Sequence, residues 1–192
     1  MKKKIIYLHG LASSGATASA QTLRDLLPEY EVLSPDIPMN PKEALKLLYE
    51  LQMQEKPHLI MGTSMGGMFA QQIRGQKTIL VNPAFHVSEF MRTQLGRHEF
   101  MNPRIDLETH FEITEKLCDA YKKIEEIQFA KITKEDIENT HALFGTKDPL
   151  VHGYDEYMQH YNQAQWFEGE HRLNFTIIST IIVPLIKRLL ES

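Results

Sequence analysis

A single cysteine, Cys118, stands in the chain, which leaves no partner for an intramolecular disulfide and no thiolate cluster for a metal. It falls in the charged, helix-like stretch EKLCDAYKKIEE and reads as a structural residue rather than a nucleophile. Long apolar runs are also missing. The most apolar stretch, residues 175–186, contains Pro184 and is followed by Lys187 and Arg188, and it is shorter than the roughly 20 residues a membrane helix needs. Lysines precede apolar residues at the N-terminus, but that run ends at Leu8, too short for the core of a secretion signal. A soluble, cytoplasmic protein is expected. There is no basic stripe: the formal net charge is −4 and Lys and Arg are scattered, so neither nucleic acid nor an anionic membrane is expected as a partner. The nine histidines show no ligand spacing such as H-x-x-x-H, and no metal or other cofactor is expected. With no repeat, low-complexity tract or Gly/Ser-rich linker, the 192 residues read as one domain.

What the chain does contain is an alternation of short apolar runs with longer helix-like segments, the pattern of a parallel sheet covered by helices on both faces. Six strands are expected, at residues 4–8, 31–34, 58–61, 78–81, 141–144 and 164–167. Several are apolar at both parities, as in IIYL, LIM and ILV, which fits strands buried on both sides. Between them, residues 16–27, 41–54 and 65–74 read as crossover helices, the second opening on Pro41. The rhythm breaks after the fourth strand. Residues 85–134 show helical stretches around 87–95 and 113–127 and no convincing strand, and read as a helical cap inserted into the domain.

Gly62-Thr63-Ser64-Met65-Gly66-Gly67 follows an apolar strand directly and opens a helix. A serine on so sharp a turn is held with its hydroxyl exposed, and the small residues two before and two after it relieve the crowding. A serine hydroxyl needs a base to take its proton and an acid to orient that base. Asp148 lies just past the fifth strand in GTKDPLV, and His171 lies just past the sixth in EGEH. Ser64, Asp148 and His171 occur in the chain order that a nucleophile, acid and base follow on this type of sheet, each after a strand whose carboxyl end shares one edge. The developing oxyanion also needs two backbone N–H donors. Met65, after the nucleophile, and Leu11, in the His9-Gly10-Leu11 loop after the first strand, are the candidates, with His9 itself as a turn residue.

The elbow GTSMGG, the HG loop, GTKDPLV and EGEH together resemble the α/β-hydrolase superfamily over the whole chain. The short length, Asn82-Pro83-Ala84 after the fourth strand and the lead YLHGLASSG look like the small bacterial YqiA-like esterases. The resemblance implies an α/β-hydrolase fold and hydrolysis of a small-molecule carboxylic ester or thioester without metal or cofactor.

Other residues compete for roles. Asp36, after the second strand, could be proposed as the acid but fits a turn brace better, since its loop leaves the sheet away from the expected base loop. Phe85, Phe90, Met91, Leu95, Phe100, Met101 and Phe111 of the insertion could line an acyl pocket or pack the cap onto the sheet, with Phe85 the best candidate for touching substrate. Tyr154, Tyr157 and Tyr161, at i, i+3 and i+7, favour core packing. Two other classes of function stay open: a binding or scaffold protein of the same fold, and a hydrolase of amide or carbon–carbon bonds.

Overall fold

The computed structural model describes residues 2–191 of the chain. In order, β1 (Lys4–Leu8) leads to α1 (Ala18–Leu26), β2 (Glu31–Leu33) to α2 (Pro41–Glu55), and β3 (Leu59–Thr63) to α3 (Met65–Ala70). After β4 (Lys77–Val81) comes the insertion, made of α4 (Val87–Arg92), β5 (Gly96–Glu99), β6 (His110–Ile113), α5 (Glu115–Glu125) and α6 (Lys134–Asn139). The chain then forms β7 (Thr140–Gly145), α7 (Tyr154–His160) and β8 (Ala164–Phe167). A last helix starts as α8 (Phe175–Ile177), widens to a π-helical turn at Ile178–Ile182 and continues as α9 (Val183–Glu191).

The main sheet has the order β2-β1-β3-β4-β7-β8 with every neighbouring pair parallel. Parallel neighbours need crossovers, and helices supply them on both faces. Alternation along each strand therefore feeds two cores. Ile6, Leu8, Ile60, Leu80 and Phe144 pack with α2, α3, α5 and α7 on one face. Ile5, Tyr7, Leu59, Met61 and Val81 pack with α1 and the last helix on the other. Burying each such side chain contributes roughly 1.5–3 kcal/mol. The apolar run at 175–186 is thus the buried stripe of a surface helix, and no helix among the described residues is long and apolar enough to cross a membrane.

The helix starts are chemically marked. Thr17 caps α1, Asn40 caps α2 ahead of Pro41, Thr114 caps α5, and Thr133 and Asp136 form a reciprocal capping box at α6. Tyr157 and Tyr161 are buried, the first donating its phenol to the carbonyls of Thr140 and Gln163, in keeping with a packing role.

The expectation of an insertion without strands is corrected. β5 and β6 form an antiparallel hairpin. Its strands are short and polar, so they show no apolar run; the pair is held at the surface by aromatic contacts of Phe111 with His98 and Phe100, at 5.5 and 4.8 Å between ring centroids. Helix α4 stops at Arg92, short of Leu95, because the chain turns there into the hairpin through Gly96 at φ 120°. The rest of the insertion is anchored below by Glu125, a buried carboxylate that accepts the backbone N–H and hydroxyl of Ser88. Burial holds the carboxyl of Glu125 above its ordinary range, against the pull of Ser88. Cys118 is fully buried in the same packing.

Candidate active site

In strand order, β1 lies between β2 and β3, so the chain leaves β1 and β3 toward opposite faces and opens a crevice at their carboxyl ends. Ser64 sits there. It caps α3 with φ 54° and ψ −122°, a strained backbone for a non-glycine residue. The turn is possible because its neighbours lack side chains: a Cβ on Gly62 would come within 2.1 Å of the Gly66 carbonyl oxygen, and one on Gly66 within 2.2 Å of the Leu8 carbonyl oxygen. The elbow is tied to the end of β4 by hydrogen bonds from Ser64 N to Val81 O (3.0 Å) and from Ala84 N to Ser64 O (3.1 Å).

The loop after β1 passes directly over the serine, with a Cβ on Gly10 placed 3.4 Å from Ser64 Cβ. His9 builds that loop. Its Nδ1 donates to Gly10 O at 2.8 Å, and its Nε2 accepts from Ile37 N at 3.1 Å. This pattern requires a neutral ring, and burial lowers its pKa to about 4. Asp36 braces the same region: its two carboxylate oxygens accept the N–H of Gly15 at 2.7 Å and of Ile105 at 2.6 Å. It is therefore bound to the β1 loop and the hairpin tip rather than to a histidine. Leu11 and Met65 both line the cavity around Ser64, and neither N–H is spent on another hydrogen bond among the described residues.

Asp148 and His171 meet. Asp148 Oδ2 lies 2.7 Å from His171 Nδ1, while Oδ1 accepts the N–H groups of Leu150 (2.8 Å) and Val151 (3.1 Å). The carboxylate is almost fully buried and the imidazole is 15% exposed. With a proton on Nδ1 donated to Asp148, the Nε2 lone pair is left free for proton transfer. Ser64 and His171 line the same cavity, but no hydrogen bond joins them in this structure. Such contacts commonly tighten only when substrate is bound.

One contributor had no sequence signal beyond its place in the N-P-A motif. Asn82, just past β4, has a φ of 44° and is buried. Its Nδ2 donates to the carbonyls of Glu170 (3.0 Å) and His171 (3.2 Å), and its Oδ1 accepts Gly145 N at 2.7 Å. It thus clasps the loop that carries His171 to the end of β7. Backbone bonds from Thr146 N to Phe167 O and Lys147 N to Gly169 O, both 2.9 Å, join the Asp148 and His171 loops alongside it.

The cavity measures about 840 Å³. Of the insertion residues weighed for an acyl pocket, Phe85, Phe90 and Met101 line it; Met91 is buried in the core, Phe100 and Phe111 pack within the hairpin, and Leu95 is exposed. Among the described residues, no three His, Cys, Asp or Glu side chains gather as a metal site would require.

Residues 4–186 match the model of the uncharacterised protein family UPF0227. The chain belongs to this family. Its fold is that of the α/β-hydrolases, shared with solved structures of low sequence identity. Est1E from Butyrivibrio proteoclasticus is 12% identical, with all of this chain and 89% of that one covered at a TM-score of 0.68. A monoacylglycerol lipase from Paleococcus ferrophilus is 14% identical, with 98% and 94% covered at 0.66. The mouse alpha/beta hydrolase domain-containing protein 10 is 13% identical, with 97% and 90% covered at 0.65.

Proposed function

We propose that this UPF0227 member is a serine esterase that cleaves a carboxylic ester or thioester through an acyl-enzyme on Ser64. The observation that carries the reading is the conjunction of a strained, glycine-flanked serine with a histidine held by a buried carboxylate at 2.7 Å, both facing one cavity. His171 Nε2 takes the proton of Ser64 Oγ as it attacks the carbonyl carbon. The N–H groups of Leu11 and Met65 meet the charge that develops on the carbonyl oxygen. His171 returns the proton to the leaving oxygen or sulfur, and water activated by the same nitrogen releases the acid. Asp148 keeps the proton on Nδ1 and stabilises the imidazolium. Phe85, in the loop between β4 and α4, forms part of the wall that receives the acyl group. That lipase and esterase names occur among the structural relatives agrees with this chemistry.

A panel of p-nitrophenyl esters from acetate to palmitate, run on the wild type beside Ser64→Ala, tests it. Turnover should depend on Ser64 and peak at one chain length, with the variant slower by at least about a thousandfold and still folded. Retained turnover in Ser64→Ala would refute the assignment.

A further inference from the structure

Exposure falls steeply among the side chains that line the cavity. Phe90 and Leu150, 52% and 62% exposed, stand at its mouth with the exposed His86, Glu89 and His152, and His86 is paired there with Glu156 at 2.8 Å. Phe85 lines the same cavity at 2% exposure. Tyr7 is buried as well, but its phenol is engaged with Thr63 Oγ1 at 3.0 Å, so the buried apolar lining is that of Phe85, Met65 and Val87, which share one core. Phe85 belongs to a loop, and the groups around it hold it in place. Gln128 Nε2 donates to its carbonyl at 2.8 Å, satisfying a buried backbone acceptor. The ring of Phe129 meets that of Phe85 edge-on at 5.0 Å between centroids. Gly153, in the loop after Asp148, leaves room for the ring, since a Cβ there would lie 3.2 Å from its Cδ2 and Cε2. Gln128 is fixed in turn: its Nε2 also donates to Glu125 O at 3.1 Å, its Oε1 accepts from Gln71 Nε2 at 3.2 Å, and Gln71 Oε1 accepts the phenol of Tyr161 at 3.0 Å. Gln71 ends α3, the helix that Ser64 opens. A relay of buried amides therefore ties the wall at Phe85 to the helix of the nucleophile.

We propose that Phe85 is the stop that sets the longest acyl chain the site accepts, and that Gln128 is the positioning residue that holds the stop at its distance from Ser64. The proposal rests on Ser64 being the acylated nucleophile. An acyl chain is driven toward buried hydrocarbon rather than toward the charged and exposed mouth, and in that direction it meets the Phe85 ring. Phe129 and His160, stacked at 4.0 Å, fill the space behind. Phe85→Ala removes the stop and opens the cavity toward Phe129. Gln128→Met keeps the bulk of the side chain but leaves Phe85 O and the Gln71 amide without their partner, so the wall is present and no longer held.

Straight-chain p-nitrophenyl esters from acetate to palmitate test this. In the wild type kcat/KM should climb to an optimum and fall beyond it. Phe85→Ala, and less fully Phe85→Leu, should move the optimum to longer chains, each newly buried methylene adding about fourfold. Gln128→Met should raise kcat/KM for the first ester past the wild-type optimum, relative to the optimum ester, by at least about fivefold through KM, with kcat on acetate within about twofold of wild type. Tyr157→Phe, which removes buried hydrogen bonds to Thr140 O and Gln163 O, residues that do not line the cavity, should lower stability and leave the chain-length profile unchanged. An optimum that stays in place in both Phe85 variants, an unchanged ratio in Gln128→Met, a shift in Tyr157→Phe equal to that in Gln128→Met, or a wild-type rate still rising at palmitate would overturn the proposal. Labelling of Ser64 by a fluorophosphonate without turnover of any ester of the series would also overturn it. No labelling and no turnover would instead remove the esterase reading beneath it.

Discussion

Asn82 holds the His171 loop through partners 63, 88 and 89 positions away in the chain, so no local pattern announces it. Its left-handed backbone, φ 44°, lets the side chain turn back under β7. Asn82→Gly accepts that φ without strain and removes only the amide. It should lower kcat on the order of 10- to 100-fold with KM little changed, because a loosened base misplaces Nε2 rather than the binding wall. Stability should fall by about 1–3 kcal/mol, read by denaturant unfolding, as buried partners lose their hydrogen bonds. A kcat within about twofold of wild type would show that the base loop holds itself. His9 makes a pH prediction. Its folded pKa of about 4 lies below the ordinary 6.5, so the unfolded chain binds more protons between those values. The contribution of His9 is fully present above pH 6.5 and is lost as pH falls toward 4, to a total of about 3 kcal/mol. Unfolding free energies at pH 7 and pH 4.5 should therefore differ less in His9→Asn than in the wild type.

At the level of elements, the hairpin β5–β6 matters because its tip reaches the loop over Ser64. Met101 N donates to Ala12 O at 2.8 Å, Asn102 Nδ2 donates to Ser13 Oγ at 3.0 Å, and Asp36 takes N–H groups from both segments. Arg104, 7% exposed, stacks over Phe100 at 4.4 Å and donates to Ile37 O, which fixes the tip from below. Asp36→Ala should release the two segments together, speeding protease cleavage within residues 100–109 and lowering ester turnover. Unchanged cleavage would mean that the aromatic contacts suffice. This hairpin was not legible in the sequence, because GRHE and HFEI lack the apolar alternation that marks a half-buried strand. The inner strands β1, β3 and β4 were legible for the opposite reason: burial on both faces makes them apolar at both parities, whereas the edge strands β2 and β8 are partly exposed. Helix ends were less so. The expected helix at 65–74 ends as a regular element at Ala70, where the chain tightens into a turn before Gly75.

Across the whole molecule, parallel strands bring the three loops of the candidate site to one edge, although Ser64 and His171 are distant in sequence. That convergence could be read in advance, since Ser64, Asp148 and His171 each follow an apolar strand, and the glycines around Ser64 are a local requirement of the turn. The clasp by Asn82 could not, because it depends on which residues distant in the chain meet at one edge of the sheet. The structure also gives the insertion a definite part: α4 and the residues before it supply one wall of the cavity, and the hairpin tip supplies part of the rim. Acylation of Ser64 is the claim on which the other assignments depend. Its most direct measurement is the mass of the intact protein after treatment with a fluorophosphonate, with the adduct mapped by peptide analysis. One adduct per chain on Ser64, abolished in Ser64→Ala and strongly slowed in His171→Ala, is the expected result. A folded wild-type protein that takes up no label, or takes it up at another residue, would contradict it.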